Sequence, residues 1–258
     1  MSKRFRLSLL LLGCILGCGL RGWAASATVS PTALPELVRV LEEKSLLPVL
    51  SSSDDALLLQ KFLSLLGIPA VPLPLSIAAV EHSPICLPGD AGEVYLRLAD
   101  FRQLDQEGWD KCLKVLPKEK WRGVILDLRG SKGFQESVAE FYQQQLLSLA
   151  LPIMILIDGE TAGAPELLAA NLRQRGNALL LGQKSTGIRG AGQEISLATG
   201  MRFRCPAATA GEFAGPVVPD VELSDSDAYQ RLPYVSPLSD PWCRHAAGTL
   251  TMILTLAE

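Results

Sequence analysis

Three short stretches of this chain concentrate groups that could do chemistry. Ser131 and Lys132 lie in the first, Thr161 in the second, and Lys184, Ser185 and Thr186 in the third. A hydroxyl becomes a nucleophile only when a neighbouring base takes its proton, and a lysine acts as that base only when burial lowers its pKa. A Ser-Lys or Thr-Lys pair assembled from these stretches is therefore one candidate chemistry, and it depends on hydrogen-bond geometry. The two histidines, His82 and His245, argue against a multi-histidine metal centre, and a Ser-His-Asp triad would have to use one of them. His245 follows Cys243 by two residues and reads as a surface histidine beside a cysteine. None of the six cysteines forms a CxxC pair, which argues against a zinc ribbon or a redox motif. No metal and no cofactor is expected.

The elements that must position these groups follow from hydrophobic patterning. Residues 94–98, 124–128, 153–157 and 178–181 are apolar runs that read as strands. Helical spacing fills the gaps: Trp109, Cys112, Leu113 and Leu116; then Ser137 to Leu149; then Pro165 to Arg175, with proline in its first turn and Gly176 at its end. Strands alternating with helices predict an α/β fold of parallel strands and crossover helices. Ligand sites on such sheets lie at the carboxyl ends of strands, which here are the loops Arg129 to Phe134 and Asp158 to Pro165.

Those loops carry a resemblance. The run Gly123 to Gly133 (GVILDLRGSKG) resembles the strand and glycine-rich loop of the C-terminal processing peptidases, or tail-specific proteases. Ile155 to Glu166 (ILIDGETAGAPE) resembles that family's nucleophile segment, and Leu181 to Gly190 (LGQKSTGIRG) is similar to its GExTFGKG segment. Leu197 to Gly200, Val217 to Val221 and Gly92 to Phe101 resemble its L-x-D/N-G turn, its GxxPDxxV ending and its opening strand. The segments stand in family order across residues 84–223. The resemblance implies a tail-specific protease body of the ClpP/crotonase-like kind. It also implies a serine-type peptidase with a Ser-Lys dyad.

Both dyad positions depart from the family. The residue matching the nucleophilic serine is Gly163, and the residue matching the lysine is Ile188. Glycine supplies no nucleophile and isoleucine no base. A one-residue insertion would put Arg189 at the lysine position, but arginine stays protonated. The same insertion would align Gln193 with a supporting glutamine of some family members. The resemblance makes Thr161 structural. A relocated nucleophile would come from Thr161, Ser131 or Ser185, with Lys184 or Lys132 as base. The family's oxyanion hole uses backbone N–H groups, so the matching Gly133, Phe134, Gly163 and Ala164 are candidates for binding an oxyanion or peptide. The alternative is that these glycines serve close backbone approach. If only the dyad was lost, Gly163→Ser with Ile188→Lys is expected to restore weak activity.

The front of the chain bears on location. Lys3, Arg4 and Arg6 precede an apolar stretch from Leu7 to Leu20, and Ala25-Ser26-Ala27 follows as a cleavage site. Residues 1–27 read as a signal peptide. Cys14 and Cys18 each end a lipoprotein-like processing motif, so a lipid anchor is the alternative. Either way an extracytoplasmic, periplasmic or secreted location is expected. There Cys86, Cys112, Cys205 and Cys243 could form two disulfides in three connectivities, or remain thiols. Residues 28–83 read as a helical segment ending in a linker marked by Pro69, Pro72 and Pro74. That segment is too short and too helical for the peptide-binding PDZ domain of many family members. Residues 224–258 read as an extension packing on the body. A 48% hydrophobic content supports a sizeable core, and a net charge of -3 argues against a nucleic-acid partner.

The expectation is an exported, non-catalytic tail-specific protease relative that binds a polypeptide or envelope protein partner or acts as a scaffold. The alternatives are an atypical peptidase with a relocated nucleophile and a purely structural envelope protein. Neither the ligand nor the oligomeric state can be read from the sequence.

Overall fold

The computed structural model describes residues 60, 63, 69–73, 83–89, 92–115, 121–196, 202–205, 215–224 and 239–256. The signal segment, Cys14 and Cys18, and nearly all of the helical front lie outside the described residues. The chain divides into two compact units: Met1–Ile77 with Glu194–Cys205, and Ala78–Gln193 with Pro206–Glu258.

The larger unit is built on a six-stranded sheet. Strands β2 (Ile85–Pro88), β3 (Glu93–Arg97), β4 (Gly123–Asp127), β6 (Ile153–Ile157), β8 (Ala178–Gly182) and β11 (Val221–Glu222) lie in the order β11-β8-β6-β4-β3-β2. All neighbours are parallel except β2, which runs antiparallel to β3 at the edge. Three helices fill the crossovers: α1 (Gln106–Val115), α2 (Glu136–Ser148) and α3 (Ala164–Gln174). A fourth, α4 (Pro241–Leu256), follows the last strand.

Both faces of the sheet are covered, which is why β4 and β6 are apolar almost without interruption. Side chains alternate between the faces with period two. Val124, Leu126, Ile153, Ile155 and Ile157 pack against Trp109 of α1, Val138, Tyr142 and Leu146 of α2, and Leu168 and Leu172 of α3. Ile125, Met154, Leu156 and Leu181 face the other way, against Trp242, Ala246 and Leu250 of α4. Phe101, Trp109, Phe141 and Tyr142 form edge-on and tilted aromatic contacts at 5.3–6.3 Å between ring centres, which tie α1 to α2.

An ion network clamps α4 to the sheet. Arg129, the second residue after β4, donates from Nε and Nη2 to Asp127 at 2.9 and 2.7 Å, and its Nη1 lies 2.9 Å from Asp240. Asp240 also caps α4, accepting from the N–H groups of Trp242 at 2.8 Å and Cys243 at 3.0 Å. The Arg129 guanidinium stacks over the Trp242 ring at 5.5 Å.

The smaller unit contributes a three-stranded sheet, β1 (Val71–Leu73), β10 (Arg202–Cys205) and β9 (Gln193–Ser196), in the order β1-β10-β9. Residues 71–73 are thus a paired strand, where the prolines suggest only a linker. Pro72 fits because β1 is an edge strand, where a missing N–H costs little.

Two disulfides are not formed: Cys86, Cys112, Cys205 and Cys243 are all free thiols. The sheet explains part of this. Cys112 belongs to the core on the α1–α3 face, whereas Cys243 lies on the α4 face against Arg129.

Candidate active site

The loops after β4, β6 and β8 meet at the carboxyl end of the sheet. Two short strands stack there, β5 (Lys132–Gly133) and β7 (Ala162–Gly163), paired in parallel with Lys132 opposite Ala162 and Gly133 opposite Gly163. Single bridges extend the stack, from Asp100 to Lys132 on one side and from Gly163 to Arg189 on the other. Asp158 ties two of the loops, its Oδ1 accepting from Gly130 N at 2.9 Å and from Thr161 N at 3.0 Å.

Gly163 and Ile188, the two positions matched to the dyad, converge on one atom. Glu166 Oε2 accepts the N–H of Gly163 at 2.9 Å and the N–H of Ile188 at 2.8 Å. Glu166 Oε1 accepts Gly187 N at 2.7 Å and the Ser185 hydroxyl. The carboxylate is fully buried in the first turn of α3, where the helix dipole favours negative charge. Burial pushes its pKa up, and the donors from Ser185, Gly163, Gly187 and Ile188 only partly offset this. The role of Glu166 as the clasp between loops was not read from the sequence. Its place three residues after Gly163 carried part of the signal, since a Glu there reaches back to the N-cap N–H as in half of a capping box.

Position 163 has no room for a side chain. Its φ is +87°, a conformation that side-chain-bearing residues rarely adopt, and an added Cβ would lie 2.2 Å from Gly133 O and 2.6 Å from the Phe134 ring. The Ile188 side chain is wholly buried. That geometry speaks against the expectation that Gly163→Ser with Ile188→Lys restores activity: the first substitution meets a backbone oxygen, and the second puts a charge at a fully buried position.

The other candidate groups are accounted for one by one. Ser131 Oγ is buried and donates to Leu98 O at 2.6 Å. Thr161 Oγ1 is buried, donates to Leu128 O at 2.9 Å and lies 3.1 Å from Asp158 Oδ1. Ser185 Oγ donates to Glu166 and accepts from Val217 N at 2.7 Å. None of the three hydroxyls meets a lysine. Lys132 lies 3.5 Å from Glu160, and Lys184 is exposed. Arg189 bonds Pro216 O at 3.3 Å, and burial lowers its pKa. Gln193 is exposed on β9. The Gly163 N–H is committed to Glu166 and its carbonyl accepts from Gly190 N at 3.2 Å. The carbonyl of Gly133 faces position 163, which opposes binding of an oxyanion there. Ala164 begins α3 and is fully buried. Among the described residues no group of His, Cys, Asp and Glu could hold a metal ion, and no helix is long and apolar enough to cross a membrane.

Comparison with known proteins bears on the fold that carries these loops. Residues 134–210 match peptidase family S41, a span that contains both Gly163 and Ile188. A solved protein of Parabacteroides merdae assigned as a peptidase superposes with a TM-score of 0.54 at 11% identity, covering 96% of this chain and 95% of that one. A lipoprotein from Streptococcus agalactiae gives 0.44 at 16% identity, with 87% and 93% covered. The photosystem II D1 C-terminal processing protease gives 0.42 at 20% identity, with 69% and 51% covered. A search of curated proteins finds no match. The likeness to solved structures is one of fold, and the family match adds the segment: the chain resembles peptidase family S41, the C-terminal processing or tail-specific proteases, and carries an S41 peptidase-like α/β body.

Proposed function

We propose that this chain is an exported, non-catalytic relative of the tail-specific proteases that holds a polypeptide or serves as a scaffold in the envelope. One observation carries the loss of catalysis. The N–H groups of Gly163 and Ile188 share a single carboxylate oxygen, and position 163 has no room for a nucleophilic side chain. Serine-peptidase chemistry needs an oxygen nucleophile, a base to take its proton and donors aimed at the developing oxyanion. Here the first is glycine, the second isoleucine, and the Gly163 donor is occupied. The relocated-nucleophile reading receives no support from geometry, because Ser131, Thr161 and Ser185 are spent on carbonyl, carboxylate and backbone partners. Export rests on the amino-terminal sequence pattern. The polypeptide partner rests on the kinship of fold with peptidases.

The test uses the purified chain and fluorescently labelled unfolded casein. Cleavage is followed by mass spectrometry and binding by anisotropy in one sample. The expected result is binding without new termini. Cleavage that disappears on substituting Ser131, Thr161 or Ser185 would overturn the proposal and identify the nucleophile. Absence of both binding and cleavage would overturn the polypeptide-holding role in favour of a purely structural one.

A further inference from the structure

Away from the candidate active site, the edge of the sheet carries a pair of cysteines. Cys86 is the second residue of β2, the edge strand whose ladder partner is β3, and sits opposite Leu96 in the ladder. Cys112 lies on α1, the helix that packs on β2. The two thiols are close enough for each to shift the acidity of the other. Both line one recess of about 340 Å³, with Ser83, Asp105 and Lys111 at its wall. The recess is well ordered: Ser83 Oγ donates to Asp105 at 2.7 Å, Asp105 accepts Gly108 N at 2.8 Å, and Lys111 pairs with Glu107 at 2.7 Å. Cys86 is partly exposed, whereas Cys112 is buried at 5%.

We propose that Cys86 and Cys112 form a reversible disulfide, closed by exchange with a low-molecular-weight disulfide that enters through this recess, and that the bond staples the edge strand β2 to α1. This is a single bridge, unlike the two-disulfide sets open from the sequence, and it leaves Cys205 and Cys243 as thiols.

The chemistry proceeds in two balanced steps. The Cys86 thiolate attacks oxidised glutathione, forming a Cys86–glutathione mixed disulfide and releasing one glutathione thiolate. Cys112 then gives up its proton and attacks the Cys86 sulfur, forming Cys86–Cys112 and releasing the second glutathione as thiol. Two protein thiols are oxidised and one small disulfide is reduced. Exposure assigns the order, since an incoming disulfide reaches Cys86 first. The neighbouring Cys112 thiol lowers the Cys86 pKa against the effect of burial, which favours the same order.

The test exposes the reduced, purified chain to oxidised glutathione, alkylates the remaining thiols and maps tryptic peptides. Cleavage after Arg97, Arg102 and Lys111 separates the two cysteines. The expected result is a peptide pair joined through Cys86 and Cys112, reversed by reductant, with Cys205 and Cys243 unlinked. Two alkylated thiols at 86 and 112, or either one linked to a different cysteine, would overturn the proposal. Cys112→Ser lacks the resolving thiol and is expected to hold a stable glutathione adduct on Cys86. A folded Cys112→Ser without that adduct would overturn the order of attack. Oxidation is expected to raise the Tm of the native chain by roughly 5 °C, and an unchanged Tm would overturn the stapling role.

Discussion

Asp127 and Glu166 are both buried carboxylates near the carboxyl end of the sheet, and they are held by opposite means. Asp127 faces two full charges, Arg129 at 2.7 Å and Arg97 at 3.2 Å, and accepts from the Tyr95 hydroxyl at 2.7 Å. Glu166 is bonded by dipoles alone, from three backbone N–H groups and one hydroxyl. The consequence appears in their acidities. Burial would raise Asp127, but its arginines outweigh burial and hold it at about 2, whereas burial wins at Glu166. The comparison teaches that the carboxyl end of the sheet, where the loops after β4, β6 and β8 meet, is held as a clasp. It closes two loops on each other at an electrostatic cost, while the Asp127 network secures the frame.

The largest way to break this contrast is Arg129→Met. It leaves the buried Asp127 with Arg97 as its one cation and takes from Asp240 its ion pair with Arg129, and it is expected to cost about 4 kcal/mol in urea-melt stability. A loss below about 1 kcal/mol would show that water or other partners compensate. Gly163→Ser comes next, at about 3 kcal/mol, because the backbone oxygen of Gly133 must move. Its peptidase activity should stay at background in a casein assay. A stable, active Gly163→Ser would dismiss the clasp as the barrier to catalysis. Glu166→Gln keeps the shape but turns one acceptor into a donor facing backbone N–H groups. A loss of about 2 kcal/mol is expected by the same melt.

The smallest effect sharpens the comparison by pH. Asp127 is depressed in the folded state, so its contribution is present above the ordinary carboxylate range and is lost as pH falls toward about 2. That contribution is about 2 kcal/mol. Glu166 is raised, so its contribution has the opposite sign: present at acid pH and lost as pH rises through its elevated value. Stability measured from pH 7 down to pH 2 should therefore lose its rising component in Glu166→Gln and keep the acid collapse. Identical profiles for the variant and the native chain would remove the distinction between the two carboxylates.

Much of the large unit was legible in sequence because its strands are buried on both faces. Runs such as Val124 to Leu128 and Ile153 to Ile157 leave little ambiguity when helical spacing and glycine stops flank them. Strands β9 and β10 escaped notice. Gln193 to Ser196 is exposed throughout and shows no apolar alternation, and Pro72 disguised β1 as linker. At the site, residue identity at 163 and 188 already spoke against hydrolysis. What sequence could not show was the Phe134 ring beside Gly163 or the convergence of two N–H groups on Glu166. Those depend on where three loops meet in space.

The clamp between Arg129 and α4 also sets an order of events during synthesis. Cys243, which Arg129 touches, lies 114 residues further along the chain. Until α4 has emerged from the ribosome, Ile125, Met154, Leu156 and Leu181 form an apolar face without its cover, and Asp127 lacks the second carboxylate that shares its arginine. The nascent body thus passes through a stage in which one side of its sheet is adhesive, the kind of surface chaperones hold and aggregates recruit. A stop codon shortly before Asp240 would make that stage permanent, because it removes α4, the lid on this face of the core.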